Sequence, residues 1–186
     1  MDTTSIKKLR LGDVLIEQGF ITQEQLDKAL QYQKEHKGKR VGAILIELGF
    51  ISEKQMLTAL ARRLNLQVVD ISTFQVSIEA VGKIPQQMAE RYNMLPAEIK
   101  ENRLKLIVND PMDLYGVEDI RQTSGMDVEL ALAEAMPLKN AIRYYYAEIT
   151  AKNAATRANE SKDDTAVDEM LIDSSAGADD TPIINL

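Results

Sequence analysis

Several residues have types and spacings that could do chemistry. Asp110, Asp113, Glu118 and Asp119 lie within ten positions of one another, as a metal site or an acid–base pair would need. The ordinary alternative is a turn followed by a helix N-terminus, where carboxylates are favoured by the helix dipole, and that alternative is preferred here. The single histidine, His36, sits in a Lys-rich connector between Lys34 and Lys39, the setting of a solvated loop residue rather than a base. With no cysteine and one histidine, the common zinc constellations are excluded. Gly12, Gly19, Gly42 and Gly49 form neither a phosphate-cradling G-x-x-x-x-G-K-[ST] run nor a G-x-G-x-x-G turn. No serine or threonine stands in a nucleophile-elbow pattern. What remains is a pair of arginines, Arg10 and Arg40, each followed two residues later by a glycine.

Those arginines open two copies of one motif. Residues 10–33 and 40–63 agree at 11 of 24 positions, a duplicated supersecondary unit. In the first copy, Leu11, Val14 and Leu15 lie at helical spacing and Gly19 is placed to stop the helix. Thr22 and Gln25 then have capping-box spacing, with Ile21 and Leu26 as a hydrophobic staple. Leu26, Ala29, Leu30 and Gln33 follow along one helical face. The second copy repeats this grammar with Gly49, Ser52, Gln55, Met56, Ala59, Leu60 and Arg63. The expectation is four helices in two hairpins.

Charge is unevenly spread. Residues 1–63 hold 11 Lys/Arg against 8 Asp/Glu, residues 64–150 hold 8 against 13, and residues 151–186 hold 3 against 8. An anionic ligand would therefore favour the repeat. The excess is too small for duplex nucleic acid, which takes many phosphate contacts, so no nucleic acid partner is expected. No apolar run reaches membrane-spanning length and no apolar segment follows the N-terminal lysines. Absent cysteine accords with a cytoplasmic setting, without direct membrane insertion.

Beyond Leu64 the pattern changes. Residues 66–71 read as a strand, and Ile84–Pro85 opens a helix to about Tyr92. Residues 94–99 and 103–108 read as a hairpin turning at Glu101–Asn102. Residues 114–123 read as a helix ended by Ser124–Gly125, residues 128–132 as a strand, and residues 137–149 as a last helix. The fold class is α+β. A duplicated helical-hairpin subdomain (1–64) precedes a small subdomain (65–149) with three or four strands. From Thr150 the Ala, Asn, Asp, Ser and Thr content predicts a flexible, disordered acidic linker (150–186). Within it, Val167–Ile172 reads as a helical turn or a docking segment. The apolar Thr181–Leu186 closing that linker reads as the start of a following domain.

The repeated R-L-G-x-x-L-I-x-x-G-x-I-x-x-x-x-L-x-x-x-L-x-x-Q pattern resembles the N-terminal domain of type II secretion and type IV pilus assembly ATPases. Leu95–Pro96, the run from Leu106 to Pro111, Asp119–Ile120, Thr123–Ser124–Gly125 and residues 141–145 look like landmarks of the same family. The resemblance implies a regulatory or docking domain, itself without catalysis, ahead of an ATPase domain in the same chain. It implies cytoplasmic placement beside the inner membrane through partners, the cytoplasmic domain of an inner-membrane platform protein first among them. One subset of the family binds cyclic di-GMP, which the resemblance makes the regulatory ligand, with no metal. Carried over residue by residue, it assigns contacts to Arg10, Leu11, Gly12, Leu26, Leu30 and Gln33 in the first copy. The second copy offers Arg40, Val41, Gly42, Met56, Leu60 and Arg63. There, an arginine guanidinium would stack on guanine or pair with phosphate, the glycine would let backbone N–H groups approach, the leucines would pack on the base, and the glutamine would bond its edge. The second copy departs at Val41, Met56 and Arg63, and Arg63 lacks the amide acceptor. A docking module that binds no nucleotide is the second implication.

Overall fold

The computed structural model describes residues 10–176, with side chains through residue 162. Thr181–Leu186, read above as the start of a further domain, lies outside the described residues. Residues 10–64 form four helices: α1 (Leu11–Glu17), α2 (Gln23–Glu35), α3 (Val41–Glu47) and α4 (Glu53–Leu64). Both capping boxes are present, Thr22 with Gln25 and Ser52 with Gln55. Gly19 and Gly49 take φ of 74° and 75°, a left-handed conformation that costs a glycine little. The pairing of the helices crosses between the copies, α1 packing on α4 and α2 on α3. Polar contacts follow the same cross. Glu47 of α3 takes a hydrogen bond from the Tyr32 hydroxyl, and Glu17 of α1, its equivalent thirty positions earlier, pairs with Arg62 at 2.9 Å, the equivalent of Tyr32.

The α+β part contributes β1 (Gln67–Val68), α5 (Ile78–Val81), α6 (Gln86–Tyr92), β2 (Met94–Lys100), β3 (Arg103–Val108), α7 (Leu114–Ser124) and β4 (Asp127–Leu132). The sheet order is β1-β4-β3-β2, with β4 parallel to both β1 and β3, and β2 antiparallel to β3. Glu101 and Asn102 both have positive φ, as the tight two-residue hairpin turn requires. Two expectations are corrected in detail. The strand expected over 66–71 is only two residues long, because only Gln67 and Val68 pair with β4. α5 is too short to show a period and has no counterpart in the sequence reading.

The last helix, α8 (Ala135–Ala176), does not end at Ile149 but runs for 42 residues. Neither glycine nor proline occurs from Leu138 to Ala176, so the backbone meets none of the residues that break a helix. Side chains from Thr150 to Lys162 are exposed. Val167–Ile172 falls within the helical backbone. One compact unit extends to Tyr145 and a second begins at Tyr146.

Two cores lie within the first unit. Val14, Leu15, Ile21, Leu26, Ile44, Leu45 and Ile51 fill the helical one. Leu57, Leu60, Leu104, Leu106, Val108, Ile120 and Leu132 fill the one beneath the sheet. Leu11 and Met56 pack against both. On the sheet side, a Cβ on Gly116 would lie 2.8 Å from Asp113 Oδ2 and 2.9 Å from the Tyr92 ring. Replacing a helical glycine by alanine gains about 1 kcal/mol of propensity, but overpacking against a ring costs about 1–3 kcal/mol. Because Asp113 also caps α7, accepting from Gly116 N, Gly116→Ala is expected to lower the thermal midpoint by several degrees. Differential scanning fluorimetry reads it, and a midpoint at or above wild type would show that Tyr92 yields.

Candidate functional site

Arg10 and Arg40 are the N-caps of α1 and α3, in extended backbone, and neither side chain caps its helix. Two residues on, each glycine faces the following helix of its own copy. A Cβ on Gly12 would come within 2.7 Å of Leu26 Cδ2, and one on Gly42 within 2.5 Å of Met56 Sδ and 3.4 Å of Leu11 Cδ2. A larger residue at either position would oblige the Leu26 or Met56 side chain to shift. The packing at Gly42 also places Leu11, from the first motif, against the second.

The equivalent positions then diverge. Leu26 is buried under Gly12, while Leu30 is 39% exposed. Gln33 is half-buried and its amide donates to the Lys39 carbonyl at 2.9 Å, closing the turn between the copies. In the second copy Leu60 is buried in the sheet core. Arg40 donates from Nη1 to both Asp110 oxygens at 2.7 Å. Among the described residues, Arg10 and Arg63 have no ion-pair partner. The first copy therefore presents Arg10, Leu11, Leu30 and Gln33, whereas the second presents Val41 and Arg63, with Arg40 engaged across the fold.

Each of the acidic residues that could have formed a metal or acid–base site has a specific structural task. Asp110 holds Arg40 and accepts Met112 N at 2.9 Å. Asp113 caps α7, Glu118 pairs with Arg121 at 3.2 Å, and Asp119 accepts from the Tyr92 hydroxyl at 2.7 Å. That last bond, with burial second, raises the Tyr92 phenol above its ordinary value. His36 stacks on Tyr32 with ring centroids 3.9 Å apart. Sequence reasoning missed Asp110 as the partner of Arg40, seventy positions away. It also missed Glu53, whose Oε1 accepts from Asn109 and from Ala135 N. The one signal for it is that Glu53 follows the capping serine, where a carboxylate already has a helix-dipole reason to stand. A separate cleft of about 380 Å³ lies between α4 and β1, with Lys54, Asp70 and Glu134 around Leu57, Val68 and Pro137.

A model of the MshEN domain matches residues 64–152. The solved structure of MshE with cyclic di-GMP is 37% identical, with a TM-score of 0.69 over 74% of this chain and 99% of that one. The chain belongs to the MshEN family, the N-terminal domains of secretion and pilus ATPases. The structural match covers more of this MshEN chain than residues 64–152 and so extends beyond the segment the family model finds. The N-terminal domain of XpsE, 23% identical with a TM-score of 0.57 over 77% of this chain and 97% of that one, shares the fold. Among full-length relatives, the type IV pilus assembly ATPase PilB of Myxococcus xanthus is 26% identical over 95% of this chain. Bacteriophage adsorption protein B of Escherichia coli is 28% identical over 78% of it. The MshEN chain spans 32% of PilB and 19% of the adsorption protein.

Lys39 Nζ and Glu47 Oε2, 2.8 Å apart, pin the turn between the motifs. The lysine's hydrogen bond holds the Glu47 carboxyl below its ordinary 4.5, and the glutamate's raises Lys39 above 10.5. A carboxylate with a lowered folded-state pKa contributes stability above its unfolded value and loses it as pH falls through the folded one. Lysine's contribution is present below 10.5 and is lost as pH rises through its raised value. Glu47→Gln is therefore expected to melt below wild type by a constant margin near neutrality, and the two curves should converge below pH 4.5. A margin that persists into acid would show that Glu47 acts through shape alone.

Proposed function

We propose that this chain is the regulatory N-terminal domain of a secretion or pilus assembly ATPase and that it binds cyclic di-GMP through its tandem motifs. On this reading the repeat (1–64) senses the ligand, residues 65–149 dock partners, and residues 150–186 connect to an ATPase domain. The observation that carries it is the state of the first motif: Arg10 exposed and without an ion-pair partner among the described residues, beside an exposed Leu30. A guanidinium with no structural duty is free for a phosphate or a base. The MshE structure with cyclic di-GMP supports the choice of ligand.

The division of labour between the copies is unequal in this reading. Arg10, Leu11, Leu30 and Gln33 bear the main contacts. Arg40 joins only by sharing or leaving Asp110, and Arg63 offers donors where the pattern has an amide. Calorimetric titration of cyclic di-GMP should give saturable heat with the wild type. Arg10→Ala is expected to weaken affinity at least about tenfold, the loss of a charge-assisted contact, with an unchanged melting curve because the Arg10 side chain has no ion-pair or hydrogen-bond partner among the described residues. Absence of heat with the wild type up to the solubility of the ligand would sink the nucleotide reading.

The second reading is a module that docks on the cytoplasmic domain of an inner-membrane platform protein without nucleotide. It is favoured by the second motif, where Leu60 is buried and Arg40 is held by Asp110. A pull-down with that domain, unchanged when residues on the 65–149 surface are altered, would count against it.

A further inference from the structure

Three of the six large exposed apolar side chains in residues 65–149 stand together. Met112, Leu114 and Tyr115 are 44%, 66% and 75% exposed, three large residues within four positions at the start of α7. Leu114 N donates to the Met112 carbonyl at 2.9 Å, so the three are displayed by one tight turn. Exposed apolar clusters of this kind mark interaction surfaces, unlike isolated exposed leucines.

The turn is held on two sides. Tyr115 meets the edge of Tyr92 with centroids 6.4 Å apart, and Tyr92 is fixed by its bond to Asp119 and covered by the Arg91 guanidinium 5.5 Å from the ring centroid. Gly116 lets the Tyr92 ring lie against α7. From the other side, Asp110 fixes the turn through Met112 N and Arg40. A tyrosine already held in place loses little entropy on binding, which is what interface anchors require.

Charge selects the occupant. Around the turn, Asp110, Asp113, Glu118 and Asp119 stand against Arg40, Arg91 and Arg121, a surplus of one negative charge. The segment that carries them, residues 64–150, is acidic as a whole, with 13 Asp/Glu against 8 Lys/Arg. We infer that the Met112–Leu114–Tyr115 turn docks a basic amphipathic helix of a partner protein, its apolar face on Leu114 and Tyr115 and its Lys/Arg residues toward Asp113 and Glu118. An anionic lipid surface would meet the same carboxylates and be repelled, and a second copy would set two acidic rims together. The three apolar side chains belong to neither motif, although Asp110 ties their turn to Arg40 of the second.

The test uses the full chain and a fluorescein-labelled amphipathic helix of Lys and Leu, with a Glu/Leu helix as its counterpart. Anisotropy should show salt-sensitive binding of the Lys/Leu helix alone. The double variant Leu114→Ser, Tyr115→Ser should bind it at least about tenfold more weakly, with its cooperative melting transition retained. Glu118→Lys should weaken the Lys/Leu helix and improve the Glu/Leu one. Hydrogen exchange with bound Lys/Leu helix should be slowed at residues 110–118. Equal binding by the double variant, equal binding of the two helices, or protection confined to another surface would overturn the proposal. So would sedimentation or phosphatidylglycerol-vesicle binding that only the double variant loses, since the turn would then serve self-association or a lipid surface.

Discussion

One helix must be apolar in two directions. α4 gives Ala59 to the core of the repeat and Leu57, Leu60 and Ala61 to the core beneath the sheet, with Met56 touching both. Without that second face the four helices and the sheet would be neighbours joined by a linker. With it they share buried surface, and burial of apolar area is the main favourable term in folding. Polar contacts then fix the orientation: Glu53 at the start of α4 receives Asn109, just past β3, and the N–H of Ala135, the first residue of α8. The Arg40–Asp110 pair joins the same two regions. Being exposed, it contributes at most about 1 kcal/mol and serves alignment more than cohesion.

The duplicate of α4 shows what that face displaced. α2 has Asp27 where α4 has Leu57, and Gln31 where α4 has Ala61, so its outer surface stays in water. Leu30 is exposed while its equivalent Leu60 is buried. Two of the positions at which the copies diverge, 27/57 and 31/61, are thus ones at which the second copy meets the sheet core. The second copy does a structural task with residues that the first leaves free, and a ligand that used both copies would meet two chemically different halves.

Features set by neighbours along the chain are legible in the amino-acid sequence. Capping boxes at Thr22 and Ser52, stops at Gly19 and Gly49, and the turn at Glu101–Asn102 are local, and each stands where its residues place it. Leu30 and Leu60 look alike in sequence, and only the sheet distinguishes them. Arg40 and Asp110 are seventy positions apart, and no periodicity links them. At α8 two local signals conflict. A low apolar content argues against a packed core and for a flexible chain, yet residues able to stay helical without packing continue the helix. The positions of Arg10, Gln33 and Arg63 are legible, but their freedom or engagement is not.

The crossed pairing of the repeat has a further meaning. Where residue 32 of one copy meets residue 47 of the other, and residue 62 meets residue 17, the arrangement has the reciprocity of an isologous homodimer. The connector around His36 makes that association intramolecular, at an effective concentration on the order of millimolar for a short tether. Two separate identical subunits cannot differ, because every change appears on both sides of the axis. Fusion lifts that restriction, and the pairing of Gln33 in one copy with Arg63 in the other is an asymmetry that only a covalently joined pair can hold.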